Sequence, residues 1–209
     1  MGHRALVAYE RIDSTYNLHY THWGGCNLRL KETITPKTPY GTTESTAEWL
    51  GDVHDALTSG TPVPTVSDTF ELEEGVRTDV DVLPEVVGVS FEEAISAHLN
   101  YLSHEAFYVV SPSFEVTAYR THWFGLKYEA DSVSEGPTIG NGALRTVRWY
   151  DGEPVGDGYA CGEFSALKAT VGDLIDQDVF THEQGVAYMK DKLGEWTNRE
   201  QDLVIQTPA

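Results

Sequence analysis

Hydrophobic and polar residues alternate from the start of the chain. Between Arg4 and Glu10, Ala5, Val7 and Tyr9 fall on one side and Leu6 and Ala8 on the other, which predicts a strand. Ile12-Asp13-Ser14-Thr15 reads as a turn and Tyr16 to Trp23 as a second strand, so the two form a hairpin. In the second strand Tyr16, Leu18, Tyr20 and His22 share one face, and Asn17, His19, Thr21 and Trp23 the other. Gly24-Gly25 ends it.

The period then lengthens. Ala47, Leu50, Val53 and Leu57, joined by Trp49, predict a helix over about Thr43 to Leu57. Gly60 to Pro64 reads as a loop, and the poorly hydrophobic stretch Asp68 to Pro84 leaves room for one short edge strand. Ser90 and Glu93 make a capping box ahead of Phe91, Ala94, Ile95, His98 and Leu102 at helical spacing. Phe107 to Val110 stops before Pro112, and Phe114 to Leu126 is a long strand rich in β-branched and aromatic residues. Asp131 to Gly142 is a loop; Leu144 to Tyr150 and Pro154-Val155 flank a hairpin turn at Asp151-Gly152. A third helix runs from about Thr181 to Trp196, capped by Thr181 with Gln184 and buried through Val186, Met189, the Lys190 stem and Leu193. Helices interrupt the strands without regular βαβ alternation. The expected fold is one α+β domain over residues 1–209, with a mostly antiparallel sheet and about three helices.

Charge adds a second layer. Of 209 residues, 33 are Asp or Glu and 14 are Lys or Arg, a net charge of −19. Such an excess self-repels in dilute buffer and is screened in concentrated salt, which points to a salt-adapted cytoplasm. It disfavours nucleic-acid phosphates and anionic membrane surfaces. Residues 44–93 carry thirteen acids and one base and read as an acidic helix and loop insertion; residues 151–209 carry twelve and four. Residues 1–43, with three acids and five bases, and 94–150, with five and four, escape the acidic coat. They are core, or a face kept for a ligand or partner. No apolar run approaches the roughly 20 residues that span a bilayer, and Met1-Gly2-His3-Arg4 leads straight into strand-like sequence with no signal peptide expected. Cys26 and Cys161 lack a CxxC spacing and are expected as small buried hydrophobes.

Both near-neutral segments contain the triplet Thr-His-Trp, at Thr21-His22-Trp23 and Thr121-His122-Trp123. The likeness does not extend past the immediate neighbours, so chance or convergent use on adjacent strands is expected rather than duplication. The opening Met1-Gly2-His3-Arg4-Ala5-Leu6-Val7-Ala8-Tyr9-Glu10-Arg11, continuing through Tyr16-Asn17-Leu18-His19-Tyr20-Thr21-His22-Trp23-Gly24-Gly25, resembles the start of a family of uncharacterised proteins from halophilic archaea. The resemblance implies a source and a compartment. It implies no activity and no catalytic residue.

No metal or cofactor is expected: His19 and His22 point to opposite faces of a strand, and neither HExxH nor His-x-His occurs. Cys26 follows two glycines whose amides could serve an oxyanion, but no GxSxG accompanies it. Gly136 to Gly142 lacks the Lys-Ser/Thr of a phosphate loop and reads as surface. What remains is an aromatic and histidine pocket. If the two triplet strands pair or neighbour, Tyr20, His22, Trp23, Arg120, His122 and Trp123 converge on a small polar ligand. The competing reading is a polar core layer in which buried His and Tyr satisfy each other around Trp. Functionally the alternatives are a small-ligand protein, enzyme or not, and a homodimerising protein that presents its charge-poor N-terminal hairpin.

Overall fold

The computed structural model describes residues 2–41, 49–70 and 78–208. Strands β1 (Ala5–Glu10) and β2 (Tyr16–Thr21) form the expected hairpin, with Ala5 opposite Thr21 and Glu10 opposite Tyr16. A 3-10 turn (Cys26–Leu28) and the short α1 (Leu30–Thr33) follow. Next come α2 (Trp49–Thr58), α3 (Val63–Phe70), β3 (Val86–Val89) and α4 (Phe91–Glu93), which runs on as a π-helical turn (Ala94–His98). Strands β4 (Ala106–Val110), β5 (Val116–Trp123), β6 (Gly142–Thr146), β7 (Arg148–Tyr150) and β8 (Glu153–Val155) lead into α5 (Asp157–Asp176) and α6 (His182–Trp196); β9 (Leu203–Gln206) closes the chain.

Seven strands make one sheet in the order β3-β2-β1-β4-β5-β6-β9, and β7 pairs with β8 apart from it. Strands β1 and β4 run parallel, and the other pairings are antiparallel. The fold is α+β with a mostly antiparallel sheet, as expected. Helices differ: six α-helical segments occur among the described residues, against three expected. Helix α3 begins where a loop was expected, because Pro64 sits in its first turn, where a missing N–H costs no helical bond. Helix α5 was not anticipated; its buried side carries Phe164, Lys168, Val171, Gly172 and Ile175, and a lysine and a glycine dilute the apolar period. The edge strand falls at Val86–Val89 rather than within 68–84. Helix α2 matches the later part of the expected first helix, whose residues 43–48 lie outside the described residues. The α6 capping box is present in both directions, Thr181 Oγ1 accepting from the Gln184 N–H and Gln184 Oε1 from the Thr181 N–H. Asp151 and Gly152 have φ of 52° and 76°, the left-handed pair of a type I′ turn.

Two rows across the sheet define its faces. Tyr20, Leu6, Phe107 and Tyr119 are successive partners, as are Thr21, Ala5, Ala106, Arg120 and Arg145. Adjacent rows point to opposite faces. The first faces the core of Leu18, Val89, Ile95, Leu99 and Trp123, under α4 and its π-helical turn. The second faces α2 and α3 through Val7, Tyr9, Leu50, Val53 and Val66. Further along that side, Ala143 packs with Phe164, Val171, Met189 and Leu193 of α5 and α6. The acidic stretch 44–93 thus contributes Leu50, Val53, Val66 and Val89 to the core, while Asp52, Asp55, Glu92 and Glu93 stay exposed.

Candidate functional site

The two triplets do not meet. Between β2 and β5 lie β1 and β4, so Thr21 and Arg120 are three interstrand spacings apart, roughly 14 Å. Tyr20 also belongs to the opposite face from Arg120 and His122. The pocket expected from Tyr20, His22, Trp23, Arg120, His122 and Trp123 together is therefore not formed, because the parallel β1–β4 pair occupies the middle of the sheet.

In the first copy Thr21 is buried and His22 and Trp23 sit outside. Tyr20 Oη lies 3.1 Å from His22 Nδ1, and the exposed His22 ring meets Trp23 edge-on at 4.9 Å. Trp23 is 50 % exposed. The second copy is inside. His122 is buried against Phe164 at 4.7 Å between ring centres. The buried Trp123 donates its Nε1–H to the Pro137 carbonyl at 2.8 Å, with Lys168 Nζ 4.6 Å from its ring centre. The glycine after this copy serves packing, since a Cβ on Gly125 would stand 1.9 Å from the Trp123 ring.

Arg120 opens onto something else. At the end of the sheet where β1 and β4 begin and β5 finishes, a cleft of about 450 Å³ is bounded by His3, Gly25, Cys26, His104, Glu105, Arg120, Asp157, Gly158 and Cys161. Arg120 donates from Nε to Asp157 Oδ1 at 2.7 Å and from Nη2 to Asp157 Oδ2 at 2.5 Å, a bidentate pair with side chains 11 % and 12 % exposed. Its Nη1 donates to the Gly25 carbonyl at 2.6 Å. Burial alone would lower the Arg120 guanidinium, but the hydrogen bonds and charge of Asp157 outweigh it and the net shift is upward. On the same cleft His3 Nδ1 donates to Glu105 Oε2 at 2.7 Å. The chain folds tightly here: Gly25 N–H bonds to the His3 carbonyl at 2.7 Å, and a Cβ on Gly25 would stand 2.9 Å from Glu105.

His104 and Cys161 are neutral. Burial, aided by Arg4, pushes the His104 imidazole down to about 4, and its Nδ1 accepts from the Asn100 N–H at 3.3 Å. Burial and then the Asp157 carboxylate push the Cys161 thiol up, which keeps it protonated and poorly nucleophilic. Both cysteines are free and half-buried rather than core. Sequence reasoning found Arg120 and missed His3, Glu105 and Asp157; the pairs His3–Glu105 and Arg120–Asp157 join residues far apart in the chain and leave no local signature. His19, three residues from His22, is buried and donates from Nδ1 to the Asp81 carbonyl at 2.8 Å. Among the described residues no group of three or more His, Cys, Asp or Glu is arranged to hold a metal ion, and no helix is long and apolar enough to cross a membrane.

Comparison with the curated proteins and with the solved structures gives no match. One family model does match, over residues 1–205, and the chain belongs to that family, described as a family of unknown function (DUF6735).

Proposed function

We propose that the protein binds a small polar ligand in the Arg120 cleft. The observation that carries this reading is the meeting of the Arg120–Asp157 ion pair and the His3–Glu105 hydrogen bond on one concavity at the end of the sheet. Pockets with a few fixed polar groups among apolar walls are the usual form of small-ligand sites. Arg120 and His122 remain the sequence-expected residues on that side, with His122 beneath the surface. The half-buried Tyr20 and the exposed His22 and Trp23 form a separate group, with the Trp23 ring 6.1 Å from that of His3 at the cleft.

Acid–base chemistry on the ligand is a second reading, favoured by His3. Its Nδ1–H bond to Glu105 fixes the tautomer and orientation of the ring and leaves Nε2 as the nitrogen open to a ligand.

The acidic coat supports a salt-rich cytoplasm as the setting. A homodimer formed through the charge-poor hairpin has less support, because Ala5, Leu6, Val7, Ala8 and Tyr9 are consumed by the protein's own core. Light scattering in molar salt addresses it; a stable dimer with Ile12 protected would restore that reading.

The test of the cleft is chemical-shift mapping in molar potassium chloride with neutral sugars, amino acids, nucleosides and small carboxylates or phosphates. The expected result is saturable movement of the Gly25, Glu105 and Gly158 amides with one class. Silence of those amides toward every class overturns the proposal.

A further inference from the structure

The charges around the Arg120 cleft answer one another. Arg120 is engaged at all three guanidinium nitrogens, by Asp157 and by the Gly25 and Glu105 carbonyls. Its charge and that of Asp157 cancel within one buried pair. Glu105 is met on Oε2 by His3. Arg4, whose charge helps to keep His104 neutral, is exposed and lies outside the lining. An anion entering the cleft would meet Asp157 and Glu105, and a cation would meet Arg120 and the nearby Arg4. Such walls favour a ligand without charge.

What they leave free are single hydrogen-bonding groups of both kinds. His104 Nδ1 accepts from the Asn100 N–H, so in the neutral ring the proton sits on Nε2. That N–H has no partner among the described residues and is not a buried atom, which makes it an open donor on a residue that lines the cleft. His3 carries the opposite tautomer, its Nδ1–H spent on Glu105 and its Nε2 an acceptor. Glu105 keeps Oε1, and the exposed Asn27 keeps its carboxamide, without a partner among the described residues. The residue ahead of β1, the 3-10 turn and the approach to β4 each supply part of this set.

A hydroxyl both donates and accepts, so a ligand carrying several can satisfy acceptors and donors alike. Apolar surface lies beside these groups. Leu102 lines the cleft at 38 % exposure, and the half-exposed Trp23 ring stands 6.1 Å from that of His3. The C–H face of a ring-shaped polyol can cover such surface while its hydroxyls reach the polar groups, and about 450 Å³ holds a molecule of that size.

We propose that the ligand of this cleft is a neutral polyhydroxylated molecule, a sugar or polyol, held by the His104 Nε2–H and Asn27 as donors and by Glu105 Oε1 and His3 Nε2 as acceptors. The inference rests on the cleft reading and names the ligand class. Arg120 and Asp157 then hold the wall and not the ligand. Hydrogen bonds to uncharged hydroxyls are little screened by salt, so binding persists where an ion pair would weaken.

The experiment titrates glucose, galactose, ribose and glycerol singly into the full chain at pH 7.5, in about 0.2 M and about 2 M potassium chloride. Sodium acetate, sodium phosphate, ethanolamine and uracil serve as anionic, cationic and neutral planar probes. The Gly25 and Gly158 amides and the His104 ring resonances are followed. At least one polyol is expected to move all of them saturably, with affinities in the two salts within about threefold. Glu105→Gln, at an exposed position, is expected to bind at least about tenfold more weakly. Asn27→Gly, which suits the φ of 51° there, is a second variant expected to weaken binding. Glu115→Gln, in the turn between β4 and β5 at the far end of the sheet, is expected to titrate like the unaltered protein. The inference is overturned if every polyol leaves these resonances in place, or if both cleft variants bind as tightly as the parent. Acetate, phosphate, ethanolamine or uracil moving Gly25 and Gly158 while the polyols fail overturns it and leaves the cleft reading standing. Silence toward every probe overturns both.

Discussion

Arg120 is gripped by both carboxylate oxygens of Asp157, 37 residues further along the chain, at 2.7 and 2.5 Å. The pair ties the end of β5 to the first turn of α5, and both side chains are about nine-tenths buried. Removing one member of a buried pair leaves the other desolvated and uncompensated. Asp157→Asn keeps the shape, loses the charge, and is expected to cost about 3–5 kcal/mol in urea unfolding. A loss below about 1 kcal/mol would mean that water reaches Arg120 freely and that the pair is a surface one.

Acid should destabilise the protein through its histidines. Burial pushes His19 down to about 4, the Asp81 carbonyl only partly offsetting it. His104 falls to about 4 through burial and then Arg4, and His122 to about 3 through burial and then Arg145 and Arg120. Unfolded, all three titrate near 6.5. Each folded value lies below the unfolded one, so the unfolded chain takes up protons first as pH drops. Stability is therefore complete above about pH 6.5 and declines towards pH 4, by roughly 3 kcal/mol for a fully buried histidine such as His19. Urea midpoints at pH 7.5, 5.5 and 4.5 in constant salt measure this. A midpoint that holds or rises on acidification contradicts it. His122→Leu, which also removes a buried Nε2 without a partner among the described residues, is expected to flatten the profile.

Much of the frame was legible because it rests on local rules. The β1–β2 hairpin, the Asp151-Gly152 turn and the α6 capping box each follow from a few adjacent residues, and each is present. What could not be read is non-local. Nothing in the chain announces that β4 inserts beside β1, and this separates Tyr20 and His22 from Arg120 and His122. Helix α5 escaped because its inward side contains Lys168, whose charge is met by Glu129 at 3.0 Å and by the Trp123 ring. The neutral segments were informative about burial: Ala5 to Tyr9 and much of β5 are core.

The two triplets, identical in sequence, should respond oppositely to the same change. Trp123 is 4 % exposed, hydrogen-bonded to Pro137 and capped by Lys168, so Trp123→Ala is expected to cost about 3–5 kcal/mol. Trp23 is half-exposed and, among the described residues, makes ring contacts with His3 and His22 alone, so Trp23→Ala should cost no more than about 1 kcal/mol. Guanidinium unfolding of the two variants gives the comparison. Equal losses would mean that the exposed Trp23 is covered in solution, as a partner surface would require.

The helix glycines separate packing from propensity. Gly172 of α5 lies against the loop at Glu129, and a Cβ there would stand 2.0 Å from the Glu129 carbonyl oxygen, closer than any atom pair tolerates. The clash is with backbone, so it cannot be relieved by a rotamer change. Gly172→Ala must push α5 away from residues 126–130 and is expected to cost at least about 2 kcal/mol. Gly162 of α5 and Gly194 of α6 have nothing within 4 Å of the same built Cβ. Both have ordinary helical backbone, so Gly162→Ala and Gly194→Ala should each stabilise by about 0.5–1 kcal/mol through the unfolded chain's lost freedom. Thermal unfolding of the three single variants in one buffer decides it. Should Gly172→Ala melt with or above Gly162→Ala, α5 does not rest on the Glu129 loop, and the burial of Lys168 on the inner side of that helix, against Glu129, would have to be revised with it.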